Sequence, residues 1–336
     1  MGMDTIAHGL TGAVIGYCGF RQYRPKLTEN APSAPAAQQE LRPPKRPPDV
    51  GRAVLWAAIA AAEFPDIDIL LAPLGSETYF RWHRSFTHSA LLLPFWAALV
   101  AVVFWSISER RNFRVLFAAA AAGIASHLAL DWITNYGTML FWPLSDVRLA
   151  LSWVFILDPY VWAGLGVTLW AVSRTHGPAQ TRVARVGLAM VCGYILMCGE
   201  CHWLALRSAA KPPDTRKLEA FAQPLSPFRW TILRQTADQI DWINGRENRT
   251  FVQFHDDRLL PQAEATPVVK LFRWFAGFPL VEMRTENGRT VLRYRDLRFR
   301  TPMPWGPVNE GTFVGAVVEF DRNGDLLASK WMRELR

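Results

Sequence analysis

Cysteine is scarce: four in 336 residues, at positions 18, 192, 198 and 201, all inside apolar stretches. That excludes a disulfide framework. A cleavable signal pattern is also lacking, because the first apolar stretch, Met3 to Phe20, carries Asp4 and His8 and has no basic segment before it. No internal repeat of useful length occurs. Mean hydropathy is only +0.05 although half of the residues are hydrophobic. This excludes a chain buried in lipid throughout and fits a membrane half joined to a soluble half. The net charge of +8 comes from basic residues that sit in loops or alternate with acids. It therefore reads as a topological signal, and no nucleic-acid partner is expected.

Six apolar stretches are present: Met3 to Phe20, Ala53 to Ala72, Ser89 to Ser108, Val115 to Ile133, Leu149 to Ser173 and Val186 to Leu206. Each approaches the roughly 20 residues that cross a bilayer. The expected fold is an α-helical polytopic membrane bundle of five or six spans over 1–206, followed by a small β-rich extramembrane domain over 207–336. Between the first two stretches, Arg21 to Arg52 is rich in Pro and Ala and is expected to be a disordered loop. After Lys211-Pro212-Pro213 come short alternating runs: Thr250 to His255, Leu280 to Arg284, Thr290 to Tyr294, Thr312 to Phe320 and Leu326 to Met332. Asn287-Gly288 and Asn323-Gly324 between such runs are hairpin signals.

Loop charge sets an orientation. Loops 21–52, 108–114 and 174–185 hold 7, 3 and 3 Lys or Arg, against 2 and 1 in loops 73–87 and 134–151. The positive-inside rule puts the first set in the cytoplasm and the C-terminal domain outside, in the periplasm where there is one. His8, Asp66, Asp68, His83, His88, His127, Asp131 and Asp158 then all fall in the outer half of the bilayer or just above it. Ionisable groups at that depth cost a few kcal/mol each when unpaired. They are therefore expected to meet one another, water or a metal in one pocket.

The densest stretch is Trp82-His83-Arg84-Ser85-Phe86-Thr87-His88-Ser89, directly before the third apolar run. His127 and Asp131, at i and i+4, share a helix face. Asp66 and Asp68 follow Pro65, and alternation would splay them unless the backbone turns. Three or four His with three Asp suit one or two divalent ions, zinc foremost. Such an ion activates a water and polarises a phosphoryl or carbonyl oxygen, while Arg84 could hold a phosphate. Blander roles exist for each: a core histidine for His8, an intrahelical bond for His127 with Asp131, a cap or an Arg81 or Arg84 partner for Asp66 and Asp68. Asp158-Pro159 fits a helix start. Cys198-Gly199-Glu200-Cys201-His202 matches a c-type haem pattern but lies within a helix and lacks a second axial ligand.

Taken together, Met3-Asp4-x-x-x-His8-x-x-x-Gly12, Phe64-Pro65-Asp66-x-Asp68, His83-Arg84-x-x-Thr87-His88-Ser89, His127-x-x-x-Asp131-x-x-Thr134-x-x-Gly137 and Asp158-Pro159 resemble the membrane-bound metal-dependent hydrolase family typified by the bacterial inner-membrane proteins YbcI and YdjM. The resemblance covers roughly 3 to 175 and implies a multi-pass protein of the bacterial inner membrane, distantly like zinc-dependent phospholipase C. It implies metal ligands at His8, Asp66, Asp68, His83, His88, His127 and Asp131, with Arg84 and Thr87 near the substrate; in catalysis Arg84 is expected to steady the phosphate and Asp68, or else Asp131, to take the proton. The expected activity is hydrolysis of a phosphoester, including that of a lipid, by a metal-activated water. A transporter of metal or other ions, or a non-catalytic scaffold, would use the same cluster differently.

Overall fold

The computed structural model describes residues 4–20, 50–108, 112–286, 288–304, 306–310 and 314–332. The Pro-rich loop lies outside the described residues as far as 49, and Val50 to Arg52 already belong to a helix. Among the described residues seven helices lead: α1 Thr5–Ile15, α2 Val50–Glu63, α3 Ser76–Trp82, α4 Leu93–Ile107, α5 Phe113–Trp132, α6 Pro159–Ser173 and α7 Pro178–Ser208. A π-helical turn, Gly16–Phe20, extends α1, and a 3-10 segment, Phe64–Leu74, extends α2.

The count of spans differs from the five or six expected. Among the described residues only α5 and α7 are long and apolar enough to cross a membrane. A third candidate arises if Ser76–His88 and Leu93–Ile107, bent through 78°, count as one broken or re-entrant span. The reason is length. Helices α4 and α6 have 15 residues each and α2 has 14, so each reaches about 22 Å against a hydrocarbon core of about 30 Å. Hydropathy averaged along the chain does not see where the helices stop. The second stretch becomes 3-10 at Phe64-Pro65, and the fifth begins its helix only at Pro159.

The chain forms two compact units, each assembled from separate stretches. The first comprises Met1–Asp66, Ala90–Ala129 and Val161–Val191. Its packing relies on small residues. Ala57, Ala58, Ala61 and Ala62 of α2 are fully buried. Gly12 of α1 and Gly123 of α5 both face the Ala58 carbonyl so closely that an added Cβ would sit 2.8 and 2.5 Å from it. Without a strong hydrophobic drive in lipid, such close backbone approach is how helices gain contact.

The second unit comprises Ile67–Ser89, Leu130–Tyr160 and Cys192–Arg336. It contains two four-stranded antiparallel sheets in simple up-and-down order. The first holds β1 Lys217–Gln223, β2 Ser226–Gln235, β3 Gln239–Ile243 and β4 Asn248–Val252. Helices α8 Leu259–Glu264 and α9 Pro267–Phe275 follow. The second sheet is β5 Pro279–Glu286, β6 Arg289–Asp296, β7 Gly315–Phe320 and β8 Leu326–Trp331. The hairpin signals hold: β5 and β6 close between Glu286 and Arg289 with Gly288 at φ +74°, and β7 and β8 turn through Gly324 at φ +83°. Strands β1 to β3 and both short helices were not legible. Lys217-Leu-Glu-Ala is a helix-former composition, and sheet packing overrides it. Helix α9 buries Val268, Val269, Phe272 and Phe275 on one face, capped by Thr266.

Gly123→Leu should destabilise the helical unit by about 1–3 kcal/mol through overpacking. Gly193→Leu on α7, where nothing lies within 4 Å of the added Cβ, should be tolerated. Thermal unfolding of the two variants in detergent checks this; equal melting temperatures would contradict the close packing.

Candidate metal centre

The stretch after α3 is held open by its own backbone. His83 caps the helix, its N–H on the Tyr79 carbonyl at 2.7 Å. Arg84 then takes a left-handed φ of +58°, a conformation that costs a non-glycine residue of order 1 kcal/mol. What holds it there is Asp68: the Arg84 N–H donates to Asp68 Oδ2 at 2.9 Å. A short 3-10 turn, Phe86–His88, follows. The reversal puts His83, Thr87 and His88 around one carboxylate. His83 Nδ1 lies 3.0 Å from Asp68 Oδ1, His88 Nδ1 3.5 Å and Thr87 Oγ1 3.5 Å from Oδ2.

The other side of His88 meets Asp131, at the end of α5, with Nε2 3.2 Å from Oδ2. The Arg84 guanidinium donates to Asp131 Oδ1 at 2.7 Å. It also reaches the Asp131 carbonyl at 3.5 Å and Thr134 Oγ1 at 3.3 Å. Arg84 therefore already carries a carboxylate partner, which the sequence does not disclose. Thr87 Oγ1 lies 3.0 Å from His88 Nδ1.

In the helical unit His8 of α1 and His127 of α5 stack, ring centroids 3.7 Å apart and 21° between planes. His127 Nδ1 lies 2.6 Å from the Ala62 carbonyl. A carbonyl only accepts, so Nδ1 carries the proton and Nε2 presents a lone pair in the neutral ring. That lone pair faces Asp66 Oδ1 at 3.5 Å. Two acceptors so placed, in a region without solvent, call for a cation or a proton between them. The donor set fits a divalent ion on this ground: imidazole nitrogens and carboxylate oxygens, with one tautomer fixed by a backbone acceptor. Buried His and Asp groups here could hold a metal ion.

All nine residues singled out from the sequence, His8, Asp66, Asp68, His83, Arg84, Thr87, His88, His127 and Asp131, are at most 6 % exposed. Asp66 and Asp68, two residues apart, do splay: Asp66 faces His127, and Asp68 faces His83, Thr87 and the Arg84 backbone. Asp158 has a different role. It caps α6 through the Tyr160 N–H at 2.9 Å and accepts from the Tyr194 hydroxyl at 3.0 Å. Cys198, Cys201 and His202 lie within α7, and the four cysteines are free.

Two supporting residues escaped sequence reasoning. Arg148, the one cation of the 134–151 loop, donates to the carbonyls of His83 at 2.8 Å, Phe80 at 3.0 Å and Gly137 at 3.2 Å. Burial pushes its guanidinium down to about 10, and its face covers Trp274 and Phe275 of α9. Tyr136 lies against both Arg84 and Phe275. Tyr79 and Phe80 share a buried core with Phe272, Phe320 and Trp331. The His83-Arg84 turn is thus braced by side chains more than 100 residues further on, which no local pattern announces.

Comparison with known proteins places the chain. The family described as YdjM inner membrane protein matches residues 3–201. YfhP of Bacillus subtilis (strain 168), described as an uncharacterized protein, is 26% identical over 132 residues, 39% of this chain and 40% of that protein. The chain thus spans less than half the length of that relative. No solved structure matches. With more than half its length matched and with apolar membrane-length helices, the chain is a membrane protein and belongs to the YdjM inner membrane protein family.

Proposed function

We propose that the protein is a membrane-bound metal-dependent hydrolase acting on a phosphoester, in the inner membrane of a bacterium. The observation that carries this reading is His127: a buried imidazole whose proton is fixed on a carbonyl and whose lone pair faces a buried carboxylate. With His8 stacked on the same ring, it offers the nitrogen and oxygen donors a divalent ion takes.

His8, Asp66 and His127 would hold one divalent ion in the helical unit, and Asp68, His83, His88 and Asp131 would be the donors for one in the second unit. A divalent ion so held, zinc by the character of its ligands, supplies Lewis acidity toward water and a phosphoryl oxygen. The protein's own residues do the rest. Asp68 orients His83 and His88 and fixes the Arg84 turn. Arg84, anchored on Asp131, offers its remaining guanidinium edge to a phosphate. Thr87 bridges His88 and Asp68 and donates toward substrate or carboxylate. Asp68 or Asp131 takes the proton released from the attacking water. The segment from 207 onward, outside the cytoplasm by loop charge, braces the His83-Arg84 turn.

The protein purified without added metal should carry a stoichiometric divalent ion by elemental mass spectrometry. His127→Ala and His88→Ala should each lose most of it, and with it any phosphodiesterase turnover. A metal-free wild-type chain, or variants that keep their ion, would eliminate the reading. A cysteine at Arg246, in the exposed β3–β4 turn, should react with an impermeant maleimide in cells whose outer membrane alone is permeabilised. Protection of that cysteine would reverse the orientation.

A further inference from the structure

Helix α2 ends on an acid that the metal centre leaves unused. Glu63 is its last residue, and the 3-10 segment carrying Asp66 starts directly after it. A carboxylate at a helix C-terminus faces the negative end of the helix dipole. Its approach to α1 is tight. A Cβ added to Gly9 would sit 2.6 Å from Glu63 Oε1, and the carboxylate accepts from the Gly9 N–H. Gly9 follows His8 in the chain, so the missing side chain lets Glu63 lie beside a candidate ligand. His8, Gly9, Glu63, Asp66 and His127 all belong to the helical unit.

The surroundings of Glu63 do not offset its charge. Asp66 and Asp4 oppose it, burial opposes it further, and His127 is the favourable neighbour. Among the described residues no Lys or Arg pairs with it. Helix end, burial and two acids thus all work against a carboxylate at this place, and a divalent cation would reverse the balance. Exposure separates Glu63 from the ligands. His8, Asp66 and His127 are at most 6 % exposed, whereas Glu63 is only partly buried. Asp4 is also partly exposed, but it is committed to the Ala7 N–H at 3.1 Å and the Trp162 indole at 2.6 Å.

We propose that Glu63 is the entry ligand of the metal centre in the helical unit. Its carboxylate captures a divalent cation from outside, hands it to Asp66 and the His8–His127 pair, and takes it back on release. The inference rests on reading those three residues as a metal centre. Glu63 governs the rate of exchange, and the buried ligands govern the affinity.

The test is exchange kinetics on the full chain in detergent. Chelator-stripped protein is mixed with Co²⁺, and uptake is followed by visible absorption. Uptake into the helical unit is the phase missing from His127→Ala. Release is followed after excess EDTA, and final content by elemental mass spectrometry. Glu63→Gln should slow uptake and release alike by at least about tenfold, the low end of electrostatic steering. Final content at saturating Co²⁺ and the melting temperature should stay as in the wild type. The Gln amide oxygen still accepts from Gly9, so a merely structural role predicts unchanged rates. Glu63→Asp keeps the charge and should recover most of the rate. Glu77→Gln, which removes an exposed acid of α3, should leave both rates alone; equal slowing there would assign the effect to net charge and overturn the proposal. Wild-type rates in Glu63→Gln would overturn the entry role and leave the metal centre standing. Loss of the ion at equilibrium from folded Glu63→Gln would make Glu63 a resident ligand and overturn the entry role too. A wild type that takes up no Co²⁺ would overturn the metal centre itself and the inference with it.

Discussion

The Asp68 carboxylate is the constraint on which the arrangement turns. It is 2 % exposed and meets His83, His88, Thr87 and the Arg84 backbone N–H. A carboxylate so far from water is tolerated only with partners of this kind. Its grip on Arg84 N–H holds the left-handed turn, and the turn sets where the guanidinium points. The guanidinium in turn holds Asp131, on the helix that also carries His127. One buried acid thereby links a loop, a broken helix and a membrane helix.

The bracing of that turn by the C-terminal part gives the extension a physical purpose. Phe80 packs on Phe275 and Trp331, and Arg148 joins the His83 carbonyl to the α9 aromatics. Reaction geometry depends on side chains held to a fraction of an ångström. A short helix and a tight turn do not supply such rigidity, and a sheet core does. In this light the β-rich part supports the His83-Arg84 turn.

Much of the candidate site was legible because chemistry-bearing residues are rare in apolar sequence. His8, His127 and Asp131 stand out within their stretches, and the 82–89 cluster stands out by density. Two hairpins were legible because Asn-Gly permits the backbone its strands require. The number of spans was not, because a hydropathy window averages across the end of α2 before Pro65 and the start of α6 at Pro159. Arg148 and Tyr136 were hidden because their importance comes from contacts with residues far along the chain. Strand β1 was hidden because its composition favours a helix and its fate is settled by neighbouring strands.

The central claim of the proposal is that imidazole and carboxylate atoms of His8, Asp66 and His127 hold a divalent ion. X-ray absorption spectroscopy on the purified protein tests it most directly. The account requires a spectrum fitted by a first shell of nitrogen and oxygen with histidine multiple scattering, altered in His127→Ala. A shell of water oxygen alone, unchanged by that substitution, would contradict it.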